Sequence, residues 1–220
     1  INLRLSYSSG FRAPQAFDED MHIENVGGTV AMIERAKDLK EEKSQSFSAS
    51  ADMYHRFGAF QTNLLIEGFY TRLTDVFVLG EPYDRGDGIL VKTRSNGPGA
   101  KVMGLTLEGK VAYLSILQIQ AGLTLQRSRY DEPHKWHDDA PAEKKIFRTP
   151  DTYGYFTATC TPIKPLSIAL SGTYTGRMLV QRMDITAENA EQGEMPERKA
   201  EAIRTPRFFD LGVKLAYDFK

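Results

Sequence analysis

The sequence predicts an all-β protein, built as an antiparallel meander of about eight long strands. Three observations predict this fold class. Apolar and polar residues alternate along most of the chain, the alternating segments are long, and short connections alternate with long polar ones. A period of two is the pattern of a strand whose two faces meet different surroundings.

The alternation is clearest at the C-terminal end. Apolar residues occupy every second position from Phe209 to Phe219, and Asp210, Lys214 and Asp218 fall between them. Leu117 to Leu125 alternates in the same way with glutamine and threonine. The predicted strands are 2–8, 44–57, 60–79, 100–113, 116–130, 151–161, 166–183 and 204–219.

The lengths of strands and connections favour a membrane-crossing sheet. Several predicted strands exceed the usual length of about 5–6 residues, and a tilted strand crosses a bilayer with about 9–11 residues. Short turns are predicted at 57–59, 114–115 and 162–165, and long polar stretches at 9–43, 80–99, 131–150 and 184–204. Short turns at one end and long loops at the other are typical of outer-membrane barrels.

Composition excludes other classes. The chain has 220 residues, of which 41% are hydrophobic and 26% charged, with a net charge of −1. Mean hydropathy is −0.40, and no apolar run is long enough for a transmembrane helix. No basic excess points to nucleic acid as a partner. The single cysteine, Cys160, has no cysteine to pair with in the chain.

Five segments, in order, resemble the barrel of TonB-dependent receptors. They are Leu3–Pro14 (LRLSYSSGFRAP), Leu39 with Glu42 and Ser44, Phe69–Asp75 (FYTRLTD), Asn96-Gly97 with Gly104–Glu108, and Arg148 with Thr149-Pro150. The last departs from the family pattern, because its arginine is shifted by one position. Together the segments span most of the chain.

The resemblance implies a fold, a function and partners. The fold would be part of a 22-stranded transmembrane β-barrel, and residues 1–220 would be one incomplete domain without the plug and the final strands. The function would be active uptake, across the bacterial outer membrane, of a large nutrient such as an iron chelate, haem, cobalamin or a glycan. Outer-membrane lipid, the imported ligand and the TonB complex, reached through the plug, would be the partners.

The resemblance also suggests roles for charged residues. Glu42, Glu67, Asp75, Glu108, Arg12 and Arg177 would face the lumen or its mouth and bond across strands or to the plug. Each also fits an ordinary exposed strand charge.

A polar cluster around residue 136 is the first candidate for ligand contact. His134, Trp136, His137, Asp138 and Asp139 form it. We expect the two histidines and the tryptophan, together with Arg12, to contact ligand on a loop, while a solvated loop in which Trp136 packs on its neighbours is the alternative. We expect no bound metal and no cofactor.

Two other functional classes stay open at this stage. No Gly-x-Ser-x-Gly nucleophile elbow, HExxH, Walker loop or GxGxxG motif occurs, so we expect no enzyme. A soluble β-rich ligand- or carbohydrate-binding module would also show alternation, and eight strands would suffice for a small outer-membrane barrel. Burial of Leu117, Leu123, Leu211 and Leu215 under a second layer would favour the soluble module.

Overall fold

A computed structural model describes residues 1–14, 31–80, 83–86, 90–136, 140–186 and 197–219. These residues form strands only. In chain order they are β1 (Asn2–Arg12), β2 (Ala31–Arg35), β3 (Glu42–Phe57), β4 (Phe60–Thr74), β5 (Phe77–Leu79), β6 (Tyr83–Asp84), β7 (Leu90–Asn96), β8 (Ala100–Tyr113), β9 (Leu117–His134), β10 (Glu143–Lys145), β11 (Thr152–Ile163), β12 (Leu166–Thr175), β13 (Leu179–Thr186), β14 (Glu197–Arg204) and β15 (Phe208–Tyr217). Within the described ranges there is no helix that is long and apolar enough to span a membrane.

Eight long strands form the main sheet, in agreement with the predicted meander. Their order is β1-β3-β4-β8-β9-β11-β12-β15, and every neighbouring pair is antiparallel. In the part of the chain that the structure describes, the two end strands β1 and β15 do not pair with each other. The small closed eight-stranded barrel is therefore not the arrangement seen.

Short turns join the long strands at one end of the sheet, which we call the turn end. Gly58 (φ 58°) lies between β3 and β4, and Leu114 (φ 49°) between β8 and β9. Both lie in the left-handed region that tight reversals require. All three predicted short turns occur at this end.

The opposite, loop end carries more structure than the sequence predicted. In the long stretches, β2, β5, β6 and β7 form a second sheet, β10 pairs antiparallel with the loop end of β9, and β13 pairs with β14 as a separate hairpin. The buried Val91 lies in β7, between the strands that flank it.

Two predicted strands are too long. The segment predicted as 60–79 breaks at Asp75, which has a φ of 54°, and continues as β5 in the second sheet. The segment predicted as 166–183 ends at Thr175 and resumes as β13. In both, apolar residues continue past the break, as Val76–Leu79 and Met178–Val180, so the residue types alone did not reveal the change of partner.

Candidate functional site

The two faces of the main sheet differ in chemistry. The apolar face carries Leu105, Leu107, Leu123 and Leu125, which stand opposite one another on β8 and β9. The polar face carries the intervening Thr106 and Thr124, whose hydroxyl groups bond at 3.0 Å. Register keeps each face continuous across all eight strands, because directly paired residues point the same way.

Burial on these faces is the reverse of that in a soluble protein. Side chains buried in the main sheet include Asp52, Thr124 and Ser128, whereas Leu123 is 41% exposed and Leu215 68%. The four leucines that would be covered in a soluble module, Leu117, Leu123, Leu211 and Leu215, are all exposed. No second layer covers them within the described residues, which argues against a soluble module.

Aromatic rows border the apolar face at both ends. Tyr7, Phe47 and Tyr70 are in register near the loop end, and Phe57, Phe60 and Tyr113 near the turn end. Phe47 and Phe57 stand ten residues apart on β3, which corresponds to about 34 Å along a strand. A tilt of about 40° reduces this to about 26 Å, close to the apolar band of about 25 Å in outer-membrane barrels.

Hydrogen bonds cross the polar face from strand to strand. Gln120 on β9 donates to Glu108 on β8 (2.7 Å) and to the hydroxyl oxygen of Tyr155 on β11 (2.8 Å). Asp52 on β3 accepts from Tyr54 (2.9 Å) and from Asn63 on β4. Such bonds satisfy polar groups that would be costly to bury unpaired.

Residues from separate motifs meet at the loop end of the polar face, in what we call the motif junction. One carboxylate oxygen of Glu42 accepts from the guanidinium of Arg12 (3.3 Å) and from the backbone N–H of Phe77 (2.9 Å). The Arg12 guanidinium lies 4.8 Å from the centre of the Phe77 ring, a distance at which cation–π attraction operates. Glu42 thus connects β1, β3 and β5.

Asn96 completes the motif junction. Its side-chain oxygen accepts from the backbone N–H of Lys40 (2.8 Å), and its amide nitrogen donates to the carbonyls of Lys40 (3.0 Å) and Asp75 (2.8 Å). One side chain therefore fixes the stretches before β3 and after β4. Sequence reasoning quoted Asn96 in a motif but gave it no role, because its partners lie far away in sequence.

The other predicted lumen residues are at three places. Glu67 and Glu108 lie on the polar face by register. Asp75 lies in the turn between β4 and β5. Arg177 lines a small cavity of about 290 Å³ with Tyr174 and Arg207, just after β12. Contacts of these residues with a lumen or a plug stay predictions.

The tryptophan cluster is only partly described. The ring of Trp136 meets that of Phe147 edge-on, with 6.4 Å between the ring centres. This is a packing contact of the kind expected if Trp136 packs on its neighbours instead of contacting a ligand. The ring of His134 lies 5.5 Å from that of Tyr130, and burial lowers the pKa of His134 below its ordinary value. His137, Asp138 and Asp139 lie outside the described residues, so ligand binding here stays a prediction.

One cluster escaped sequence reasoning. Asp131 on β9 accepts from Arg72 on β4 (2.8 Å) and from Lys101 on β8 (3.1 Å). Gly99 permits this approach, because a Cβ there would stand 2.7 Å from an Asp131 oxygen and 2.8 Å from the Leu73 carbonyl. Extending the alternation of β9 to residue 131 would have placed Asp131 on the apolar side of the sheet.

Comparison with known proteins identifies one family for the whole chain. The family model described as TonB dependent receptor-like, beta-barrel matches residues 1–220. No curated protein sequence matches the chain significantly.

Among solved structures, three transporters or receptors share the fold. The FrpB iron transporter from Neisseria meningitidis (F3-3 variant) superposes with a TM-score of 0.61 at 15% identity, covering 98% of this chain and 30% of that one. The siderophore receptor PirA from Acinetobacter baumannii gives 0.60 at 14%, covering 99% and 32%. The copper transporter OprC gives 0.56 at 11%, covering 99% and 29%. This chain spans about a third of the length of each.

Proposed function

The chain belongs to the TonB-dependent receptor β-barrel family, and from that premise we propose that it forms part of the wall of a bacterial outer-membrane barrel for active nutrient uptake. The apolar face meets lipid, and the polar face meets the water-filled or plugged interior. The transported ligand is a large nutrient such as an iron chelate, haem, cobalamin or a glycan, and import is energised through TonB.

The exposed apolar face is the observation that supports this proposal most. An extended surface of exposed leucines is unfavourable in water, and its polar counterpart on the same strands is the more buried one. Facing hydrocarbon, the leucines need no cover. The spacing of the two aromatic rows supports the same placement, because it matches the thickness of an apolar band.

Labelling along β12 tests the membrane placement. In the intact protein, with Cys160→Ala as background, single cysteines at Ile168, Ala169, Leu170 and Ser171 would carry a nitroxide label in lipid vesicles. We expect labels at 168 and 170 to collide mainly with oxygen, which concentrates in lipid, and those at 169 and 171 mainly with a water-soluble nickel chelate. Equal access of the chelate to all four positions would contradict a lipid-facing apolar surface.

Uptake is tested separately with the intact gene. FrpB and PirA are described as an iron transporter and a siderophore receptor, so radiolabelled ferric chelates are the first substrates to try. We expect accumulation that stops when the gene or TonB is deleted and returns on complementation. If deletion of the gene leaves iron uptake unchanged but abolishes TonB-dependent uptake of haem, cobalamin or a glycan, that compound is the substrate instead. Uptake that continues when TonB is deleted would contradict the proposed energy source.

The motif junction supports a role at the barrel mouth. It ties β1, β3 and β5 to the stretches before β3 and after β4, near the long loops that we propose contact the ligand. In this proposal Arg12, Glu42, Glu67, Asp75, Glu108 and Arg177 line the interior or its mouth, and Trp136, His134 and His137 lie on a ligand-facing loop.

A further inference from the structure

A basic pocket lies on the apolar side of the sheet, level with the loop-end aromatic row and just beyond it. Lys101, Arg127, Arg129 and Lys144 line it, with Met103 and Asp131, around a cavity of about 320 Å³. Register places Lys101 opposite Arg129, and Met103 opposite Arg127, so these side chains belong to the face that carries Leu105 and Leu125. We call these four cations the basic pocket.

The basic pocket holds more positive charge than its neighbours neutralise. Asp131 pairs with Lys101 and Arg72. Among the described residues no carboxylate pairs with Arg127, Arg129 or Lys144, and all three side chains are exposed. Adjacent cations without counter-ions repel one another, so the pocket favours an anion. Arginine side chains suit phosphate in particular, because their planar donors bind two of its oxygens at once.

An apolar groove runs from the basic pocket along the same face. It is an open groove of about 1160 Å³, and its lining includes Leu5, Ala49, Gly68, Met103, Leu105 and Arg127. Met103 and Arg127 line both cavities. The small residues Ala49 and Gly68, paired in register, leave the groove open: a Cβ on Gly68 would have no atom within 4 Å.

We propose that this face binds a phosphate-bearing membrane lipid, with the phosphate in the basic pocket and an acyl chain in the groove. The proposal rests on the membrane placement argued above. Charge complementarity identifies the headgroup, because basic pockets at a membrane surface bind anionic lipid headgroups. The groove identifies the rest of the ligand, since only an amphiphile fills an apolar groove and an adjoining basic pocket together.

Lipid retention by the intact protein in detergent tests the headgroup. Native mass spectrometry would compare a diacyl phosphatidic acid with the diacylglycerol of the same chains, and with inorganic phosphate as competitor. We expect at least tenfold preferential retention of the phosphatidic acid, and at least a tenfold loss of that affinity in the Arg127→Gln/Arg129→Gln double variant. The control is Lys110→Gln/Lys214→Gln, which removes the same charge from the polar face and should retain the lipid.

A second variant tests the groove. Gly68→Leu should fill it, weaken phosphatidic acid by several-fold and leave the affinity for inorganic phosphate unchanged. This variant also keeps the proposal testable if the double variant does not fold, as judged by its circular dichroism.

Three results would overturn the proposal. Equal retention of diacylglycerol and phosphatidic acid would show that the protein does not recognise the phosphate group. Inorganic phosphate that binds as tightly as the lipid would identify a free-anion site, and dimer formation through this face without lipid would identify a second copy of the chain as the occupant. None of these results alters the nitroxide pattern on β12, which tests the barrel placement alone.

Discussion

The same strands form two faces of the main sheet, and the two faces differ in burial and in the contacts that their side chains make. On the polar face, side chains bond across strands, as Gln120 does with Glu108 and Tyr155, and several are buried. On the apolar face, Leu107 and Leu123 remain about 40% exposed even in the middle of the sheet. Specific contacts between side chains are therefore made mainly on the polar face.

The difference shows where specificity and stability reside. The apolar face needs only to be non-polar, because lipid adapts to its shape. The polar face depends on particular partners and on close approaches such as that of Gly104 to the Phe69 ring. Substitutions matched across the two faces should therefore differ in size and in kind.

The largest effect should come from a charge placed on the apolar face. Leu170 lies midway along β12, and its neighbour Ser171 lies on the polar face. We expect Leu170→Arg to destabilise the intact protein in vesicles by about 2–4 kcal/mol, the cost of a cation near the bilayer midplane. Ser171→Arg should stay within about 0.5 kcal/mol, as measured by urea unfolding; similar losses for both would contradict the assignment of faces.

Next in size should be crowding of the polar face. A Cβ at Gly104 would stand 2.5 Å from the Phe69 ring and 2.6 Å from the Leu125 carbonyl, whereas one at Gly68, on the apolar face, would meet nothing within 4 Å. We expect Gly104→Ala to cost about 1–3 kcal/mol. Gly68→Ala should be neutral or stabilise by up to about 1 kcal/mol, and the reverse order in the same unfolding assay would count against this packing.

The motif junction should show a smaller, local effect. Glu42 on the polar face is mostly buried and accepts two hydrogen bonds, while Glu41 pairs with Lys43 where both side chains are about half exposed. We expect Glu42→Gln to weaken the protection of the Phe77 amide in hydrogen exchange by about 1–2 kcal/mol, since the N–H would then bond to a neutral amide oxygen instead of a carboxylate. Glu41→Gln should change it by less than about 0.5 kcal/mol; equal protection in both variants would remove the role given to Glu42.

The smallest effect should appear with pH at the end of β9. Because burial lowers the pKa of His134 from its ordinary 6.5, the folded chain binds the proton less readily than the unfolded one. Its contribution to stability is complete above about pH 6.5 and declines as the pH falls below that. Once the intrinsic pH dependence of amide exchange is divided out, the protection of the β10 amides, which pair with His134 through Glu143, should therefore fall between pH 7 and pH 5, and this dependence should weaken in His134→Gln.

Much of the main sheet could be predicted, because alternation is a local property. The eight long strands, the three short turns and the assignment of residues such as Leu117 and Leu211 to an exposed apolar face all follow from a period of two and from turn spacing. The ends of β4 and β12 could not be found this way. Apolar residues continue beyond Thr74 and Thr175, as Val76–Leu79 and Met178–Val180, and the change of partner strand ends those elements.

The sequence by itself determined the fold class, the handful of motifs and which residues share a face, since neighbours along a strand fix these. Only the tertiary structure decided what those residues contact. Glu42 meets Phe77 across 35 positions, and Asp131 meets Arg72 across 59. Register between distant strands sets such contacts, and it depends on the pairing of the whole sheet rather than on any one segment.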